Sequence, residues 1–209
     1  MTLAGEPAAE QISFSRELLR KATHLGALII PGGYYLLSLE RADMLAIMVP
    51  VTVGMILIDV ARLRQWWFWR RLARPVIRPL IRQHEAAGDF TGASYILLSV
   101  CLTVALFVKP IAIAALCFII VGDVFAAIIG RSVGRHRFGR KTVEGSLGCL
   151  AGTLLVALFI PELPWTIKLS GAVIATVVEA LPLGVDDNVS VPILAGLGMT
   201  LLEKIVASV

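Results

Sequence analysis

Gly122 to Ser146 reads GDVFAAIIGRSVGRHRFGRKTVEGS. The stretch opens inside an apolar run with an aspartate, Asp123. It leaves that run through Gly130 and a basic loop, then enters the next apolar run through Lys141, Thr142, Glu144 and Gly145. A charge in hydrocarbon costs about 2.5 to 3.5 kcal/mol even on the lenient insertion scale, so an acid in a membrane span is by default a candidate functional site. Composition says that the flanking runs are spans. The 209 residues are 57% hydrophobic and only 16% charged, with a mean hydropathy of +0.84, which is the make-up of a polytopic membrane protein and excludes an ordinary soluble domain.

Working outward, a hydrocarbon core of about 30 Å needs about 20 helical residues. Seven candidate spans meet that measure approximately, over residues 25–39, 44–61, 93–108, 111–130, 145–160, 165–185 and 191–207. Pro31, Gly32 and Gly33 interrupt the first and predict a kink there. Loop charges supply an independent check. Arg16, Arg20 and Lys21, then Arg62, Arg64, Arg70, Arg71, Arg74, Arg78 and Arg82, then Arg131, Arg135, Arg137, Arg140 and Lys141 fall on one side, fifteen of the nineteen lysines and arginines. Arg41, Lys109, Lys168 and Lys204 fall in or near the other. This asymmetry places the N-terminus in the cytoplasm and the C-terminus outside, with every polar motif on the cytoplasmic face. The net charge of +4 is then mostly a topology signal, and no nucleic-acid partner is expected.

The expected fold is therefore all-α, a polytopic membrane helix bundle of about seven transmembrane helices plus an interfacial amphipathic segment. It forms one domain over residues 1–209, with 1–21 as a cytoplasmic N-terminal helix and 62–92 as a cytoplasmic interfacial segment. Residues 62–82 mix seven arginines with Trp66, Trp67, Phe68 and Trp69 and contain Pro75 and Pro79, which suits short helices at headgroup level. Residues 1–15 lack the pattern of a secretory signal. Cys101, Cys117 and Cys149 have no paired spacing and read as core residues.

Asp123 lies seven residues before the expected membrane exit at Gly130, about 10 Å deep at the helical rise. Ala126, Ala127 and Gly130 follow it at three, four and seven, so the acid shares a face of small residues that lets a helix or a ligand approach. The loop from Arg131 to Lys141 carries five cations, with Gly134 and Gly139 among them, a composition suited to polyphosphate. It is not a Walker loop, since Lys141 comes one position late and no strand precedes it. Thr142 and Glu144 start the next helix, whose positive end favours an anion.

Two further stretches add charge on the same side. Arg16 to His24, RELLRKATH, puts Arg16, Arg20 and His24 on one helical face and Glu17 and Lys21 on the adjacent one. Glu179 lies within the sixth run, and Pro182 and Gly184 break the helix ahead of Asp186, Asp187 and Asn188. Broken helices at membrane depth are tolerated where they line a cavity. Hard oxygen donors of this kind suit Mg²⁺, although the same acids could instead form a solvated turn capping the last helix at Asn188 or Ser190.

Four blocks, RELLRKATH at Arg16 to His24, TGASYILLS at Thr91 to Ser99, the stretch from Gly122 to Ser146 and EALPLGVDDNVSVP at Glu179 to Pro192, resemble the CTP-dependent polyprenol and lipid kinases. That family includes dolichol, phytol and farnesol kinases and the yeast-type CTP-dependent diacylglycerol kinase. Phosphatidate cytidylyltransferases share the third block but end in a different, histidine- and glycine-rich one, whereas this chain has LGVDDN. The chain also lacks the long N-terminal membrane extension of dolichol kinases. The resemblance implies transfer of the γ-phosphoryl group of CTP to a membrane lipid alcohol with Mg²⁺ or another divalent cation. It places Arg20, Lys21, Asp123 and Gly130 at positions associated with activity and Lys141, Thr142 and Glu144 in the nucleotide region.

The expected roles follow. Asp123, Asp187 and Lys141 are the catalytic candidates, and Asp123, Glu179, Asp186, Asp187 and Asn188 the pool for the metal. Arg20, Lys21, Gly130, Gly134, Arg135, Arg140, Lys141, Thr142 and Glu144 are expected around the nucleotide. Cytidylyl transfer is the rival reaction, and transport or flipping of an anionic lipid is the rival from another class.

Overall fold

The structure is a computed structural model of the chain, described here for residues 21–67, 69, 71, 88–139, 141–160 and 162–208. All seven apolar runs are helical. In chain order the helices are α1 (Ile29–Leu36), α2 (Arg41–Leu63), α3 (Gly92–Leu106), α4 (Lys109–Val133), α5 (Val143–Leu158), α6 (Trp165–Ala180) and α7 (Asp187–Ala207), and residues 21–26 form helical turns ahead of α1. Three of them, α2, α4 and α7, are long and apolar enough to cross a membrane, which marks the chain as a membrane protein.

α4 is the axis of the bundle. It is apolar on every side, as a helix enclosed by others must be, and Ile111, Ala112, Ala114, Ala115 and Phe118 are fully buried along it. On one flank it packs with α5, α6 and α7 around Phe118, Ile167, Ala175 and Met199. Tyr34, Met44, Met48, Val100 and Val104 make a second cluster with it, drawn from α1, α2 and α3. Hydrocarbon surroundings provide no hydrophobic drive between helices, so close contact between small residues has to supply the packing. α4 and α5 achieve it with glycine: a Cβ on Gly122 would stand 2.9 Å from Cys149 Sγ, and one on Gly148 2.9 Å from the Phe125 carbonyl.

The helical bundle is as expected, and three local details go beyond or depart from the sequence reading. In a small hairpin, β1 (Arg137–Phe138) and β2 (Lys141–Thr142) pair antiparallel between α4 and α5. Their loop is only two residues, Gly139 and Arg140, and Gly139 supplies the φ of +59° that such tight turns need at their first position. Within the expected interfacial segment, α2 runs on to Leu63, so Arg62 lies in its last turn, and Trp69 is buried against the protein. The rest of that segment, residues 72–87, is outside the described residues. Finally, the irregularity in the first run lies at Ala27 and Leu28, whose amides bond back three residues to His24 and Leu25. The cause is still Pro31, since a proline ring collides with the carbonyl four residues before it, here Ala27.

The cations expected opposite the basic loops tie that end together. Arg41 donates to the Phe107 carbonyl beyond α3, Lys109 to the Leu39 carbonyl, and Lys168 sits 4.8 Å over the Trp165 ring. At the other end, Leu181 to Asp186 separate α6 from α7, with Gly184 at φ +71°, as Pro182 and Gly184 predict.

Candidate functional site: two lysine and carboxylate clusters at one end of the bundle

The first cluster joins α4 to the turns before α1. Lys21 Nζ lies 2.5 Å from Asp123 Oδ2 and donates to the Asp123 carbonyl at 3.1 Å. His24 Nε2 approaches the same Oδ2 at 3.4 Å. Lys21 and His24 are buried, whereas the Asp123 side chain keeps 28% of its surface exposed. Sequence spacing set Lys21 apart from His24. In the structure three residues of helix put both on Asp123, so His24 gains a role that it lacks when read alone.

The second cluster is built by the hairpin and the break between α6 and α7. The exit from α4 is open to glycine at position 134, because a side chain there would run into the Gly130 carbonyl. The chain then turns through the hairpin, and Thr142 caps α5 by accepting from the Gly145 amide at 3.0 Å. This geometry sends Lys141 across to α6 and α7. Its Nζ lies 2.8 Å from Glu179 Oε1 and 2.9 Å from Asp187 Oδ2, and it also donates to the Glu179 carbonyl. Burial by itself would lower the proton affinity of this ammonium, but the two carboxylates more than reverse that and hold the Lys141 pKa above its ordinary value.

Asp123 is close enough for its charge to act on both Glu179 and Asp187, so the clusters share one electrostatic region. Four separated segments thus converge at the end of the bundle where the basic loops lie. Gly130 contributes by absence, since a Cβ there would meet Thr142 Oγ1 at 3.0 Å and spread the α4–α5 junction. Arg135 is exposed on the loop after α4. Arg20 and Arg140 lie outside the described residues.

Some expected ligands are occupied otherwise. Glu144 clasps the loop, with its oxygens 3.2 and 3.3 Å from the His136 amide and Oε1 2.7 Å from His136 Nδ1. The hydrogen bond with His136, supported by backbone amides, pushes the Glu144 carboxyl down to about 2. Asp186 is the cap of α7, its Oδ1 accepting from the Asn188 amide at 2.9 Å and from Asn188 Nδ2 at 2.7 Å. The cap is therefore Asp186, two residues before Asn188 and four before Ser190.

These engagements narrow the metal pool. Among the described residues no three histidine, cysteine, aspartate or glutamate side chains form a group that could hold a metal. Mg²⁺ does not require one, since it commonly takes one or two carboxylates and completes its shell with water and phosphate. Glu179 and Asp187 fit that mode. Asp187 is 41% exposed, and Glu179 Oε2 is buried without a hydrogen-bond partner among the described residues, an acceptor left for something to fill.

Sequence reasoning missed Asp59. It is wholly buried in α2, its Oδ2 accepting from the Thr91 amide at 2.8 Å, Thr91 Oγ1 at 2.9 Å and Ser94 Oγ at 2.6 Å, while Arg62 Nε bonds Oδ1 at 3.1 Å. Arg62 also donates to the Asp89 carbonyl. This clasp gives Thr91 and Ser94, part of the block at Thr91 to Ser99, a structural purpose in docking α3 on α2. The signal was present, an acid and an arginine three apart on one helix face ahead of a threonine and a serine at the same spacing.

No family model matches the chain, and no solved structure matches it. The chain is similar to the uncharacterized protein RP860 of Rickettsia prowazekii (strain Madrid E), at 26% identity over 201 residues that cover 92% of this chain and 97% of that protein.

Proposed function

We propose that the chain is a lipid-alcohol kinase of the membrane, transferring the γ-phosphoryl group of CTP to a polyprenol, a phytol-type alcohol or diacylglycerol. The observation that carries this reading is the convergence of Lys141, Glu179 and Asp187 beside Lys21 and Asp123, with Glu179 Oε2 left without a partner among the described residues. We also infer that all seven helices cross the bilayer, the N-terminus and both clusters on the cytoplasmic side and the C-terminus opposite. Loop charge supports that topology, and the shorter helices imply local thinning or sunken ends.

In such transfers the protein has little covalent work, and positioning with charge neutralisation does most of the catalysis. In this reading Lys21 and Lys141 bind triphosphate oxygens, and exposed Arg135 on the loop adds a further cation. Glu179 and Asp187 would hold a divalent cation, which supplies charge neutralisation on the bridging and transferred phosphates. The lipid hydroxyl oxygen bonds to the γ-phosphorus, the bond from that phosphorus to the β–γ bridging oxygen breaks, and CDP leaves. The hydroxyl proton passes to a carboxylate, Asp123 first and Asp187 second in order of preference.

CTP labelled separately at the α and γ positions tests this with purified protein in lipid. Label from the γ position in the lipid is expected. Label from the α position would mean cytidylyl transfer, and no use of any nucleotide would leave lipid transport as the reading. Asp123→Asn is expected to lower turnover by about 10²-fold or more, the usual size of a proton-transfer contribution.

A further inference from the structure

A groove of about 390 Å³ runs between α1, α4 and α5, away from the polar end of the bundle. Its lining is apolar, with Leu28, Pro31 and Gly32 from the first run facing Ile113, Cys117 and Val156, and Glu162 as the charged residue at its far end. Tyr35, Leu155 and Phe159 stand exposed at its rim, so it opens sideways toward the surroundings of the bundle.

Two features say what belongs there. The first run joins groove to site. Lys21, His24, Leu28, Pro31 and Tyr35 recur at spacings of three and four, so the helical face that meets Asp123 at one end lines the groove one turn further on. Asp123 lies two residues beyond Val121 and about 200° around α4, so the first run carries the link to the site, while the lining face of α4 from Pro110 to Val121, eleven residues of helix, spans about 17 Å. That is close to one leaflet, half of a hydrocarbon core of about 30 Å.

We propose that this groove holds the apolar chain of the lipid alcohol, its hydroxyl at Asp123, and that Gly32 keeps the groove open. The assignment rests on the kinase reading for the hydroxyl end, but the groove can be tested without it. A Cβ added at Gly32 meets nothing within 4 Å, so a side chain can start there without a clash, and Gly32 is among the groove's lining residues. Replacing glycine inside a helix also favours the helix. Gly32 is thereby a specificity residue for chain length, acting by leaving room.

The probe is a farnesol analogue with a diazirine at its distal end, added to the protein in phosphatidylcholine nanodiscs without nucleotide. Labelling is expected on peptides of α1, α4 and α5, and Gly32→Phe is expected to reduce it by about tenfold, the scale on which hydrophobic pockets discriminate. In the transfer assay Gly32→Phe should raise KM for farnesol by a similar factor and leave a short water-soluble alcohol unchanged. Label spread over the outward faces of α2 and α7 and indifferent to Gly32→Phe would overturn the groove, as would crosslinks through it to a second copy of the chain. Groove labelling without transfer from any nucleotide would sink the kinase reading alone, and transfer with an unchanged KM in Gly32→Phe would sink the groove alone.

Discussion

Lys141→Met removes an ammonium while keeping the side-chain stem, and the structure sets the cost. Asp187, 2.9 Å away, is 41% exposed, so its half of the interaction resembles a surface pair worth about 0.2 to 1 kcal/mol. Glu179 is 8% exposed, and stranding a buried carboxylate costs about 3 to 5 kcal/mol. Lys141 itself is 28% exposed, so water reaches this site and the penalty falls toward the lower end, for a total of about 3 kcal/mol. In a chain of this length each kcal/mol moves the midpoint by about 2 to 4 °C, so Tm should drop by about 6 to 12 °C. Thermal unfolding in detergent micelles, followed by tryptophan fluorescence, reads this directly. The decisive variant is Lys141→Met/Glu179→Gln. With the stranded charge removed, most of the lost Tm should return while transfer activity stays absent. Equal midpoints for the single and double variants would show that Glu179 is not the buried partner of Lys141. The pH dependence has a definite sign. The folded-state pKa of Lys141 is raised, so its contribution is complete below the ordinary lysine value of 10.5 and is lost only as pH rises past it.

Other perturbations probe the remaining features. Asp59→Ala removes the carboxylate that pairs with buried Arg62 and leaves three hydrogen-bond donors without it, so it should cost about 3 to 5 kcal/mol in thermal unfolding. The Glu144 carboxyl is depressed to about 2, so its hold on the loop is complete above the ordinary carboxylate value of 4.5 and is lost as pH falls through about 2; NMR titration of Glu144 reads the midpoint, and Glu144→Gln should speed hydrogen exchange at the His136 amide at neutral pH. Gly148→Ala should destabilise by about 1 to 3 kcal/mol because the Phe125 carbonyl cannot retreat, whereas Gly54→Ala, with nothing within 4 Å, should be neutral or stabilising in the same melt.

The helices were legible because each apolar run is bounded by charge, proline or glycine, and the break before α7 followed from Pro182 and Gly184 alone. The hairpin was not, since its strands are two residues each and Arg137, Phe138, Lys141 and Thr142 carry no alternation long enough to read. Asp123 announced itself by being charged in an apolar run. Asp59 has the same property, but the run of arginines that begins at Arg62 masks its pairing with that residue. The convergence of Lys141 on Glu179 and Asp187 joins positions 38 and 46 residues apart, and no local period encodes a contact of that kind. Glu144 shows the opposite limit: a residue correctly placed at the start of a helix can spend its charge on the adjacent loop.

The pairing of each lysine with its own carboxylates has a consequence for the resting protein. With counter-ions built in, neither ammonium group needs a ligand to neutralise it, and this end of the bundle can fold on its own charges. In the proposed transfer, binding would be an exchange of partners: phosphate oxygens would take over the ammonium groups, and the carboxylates so released would become donors for a cation arriving with the phosphate.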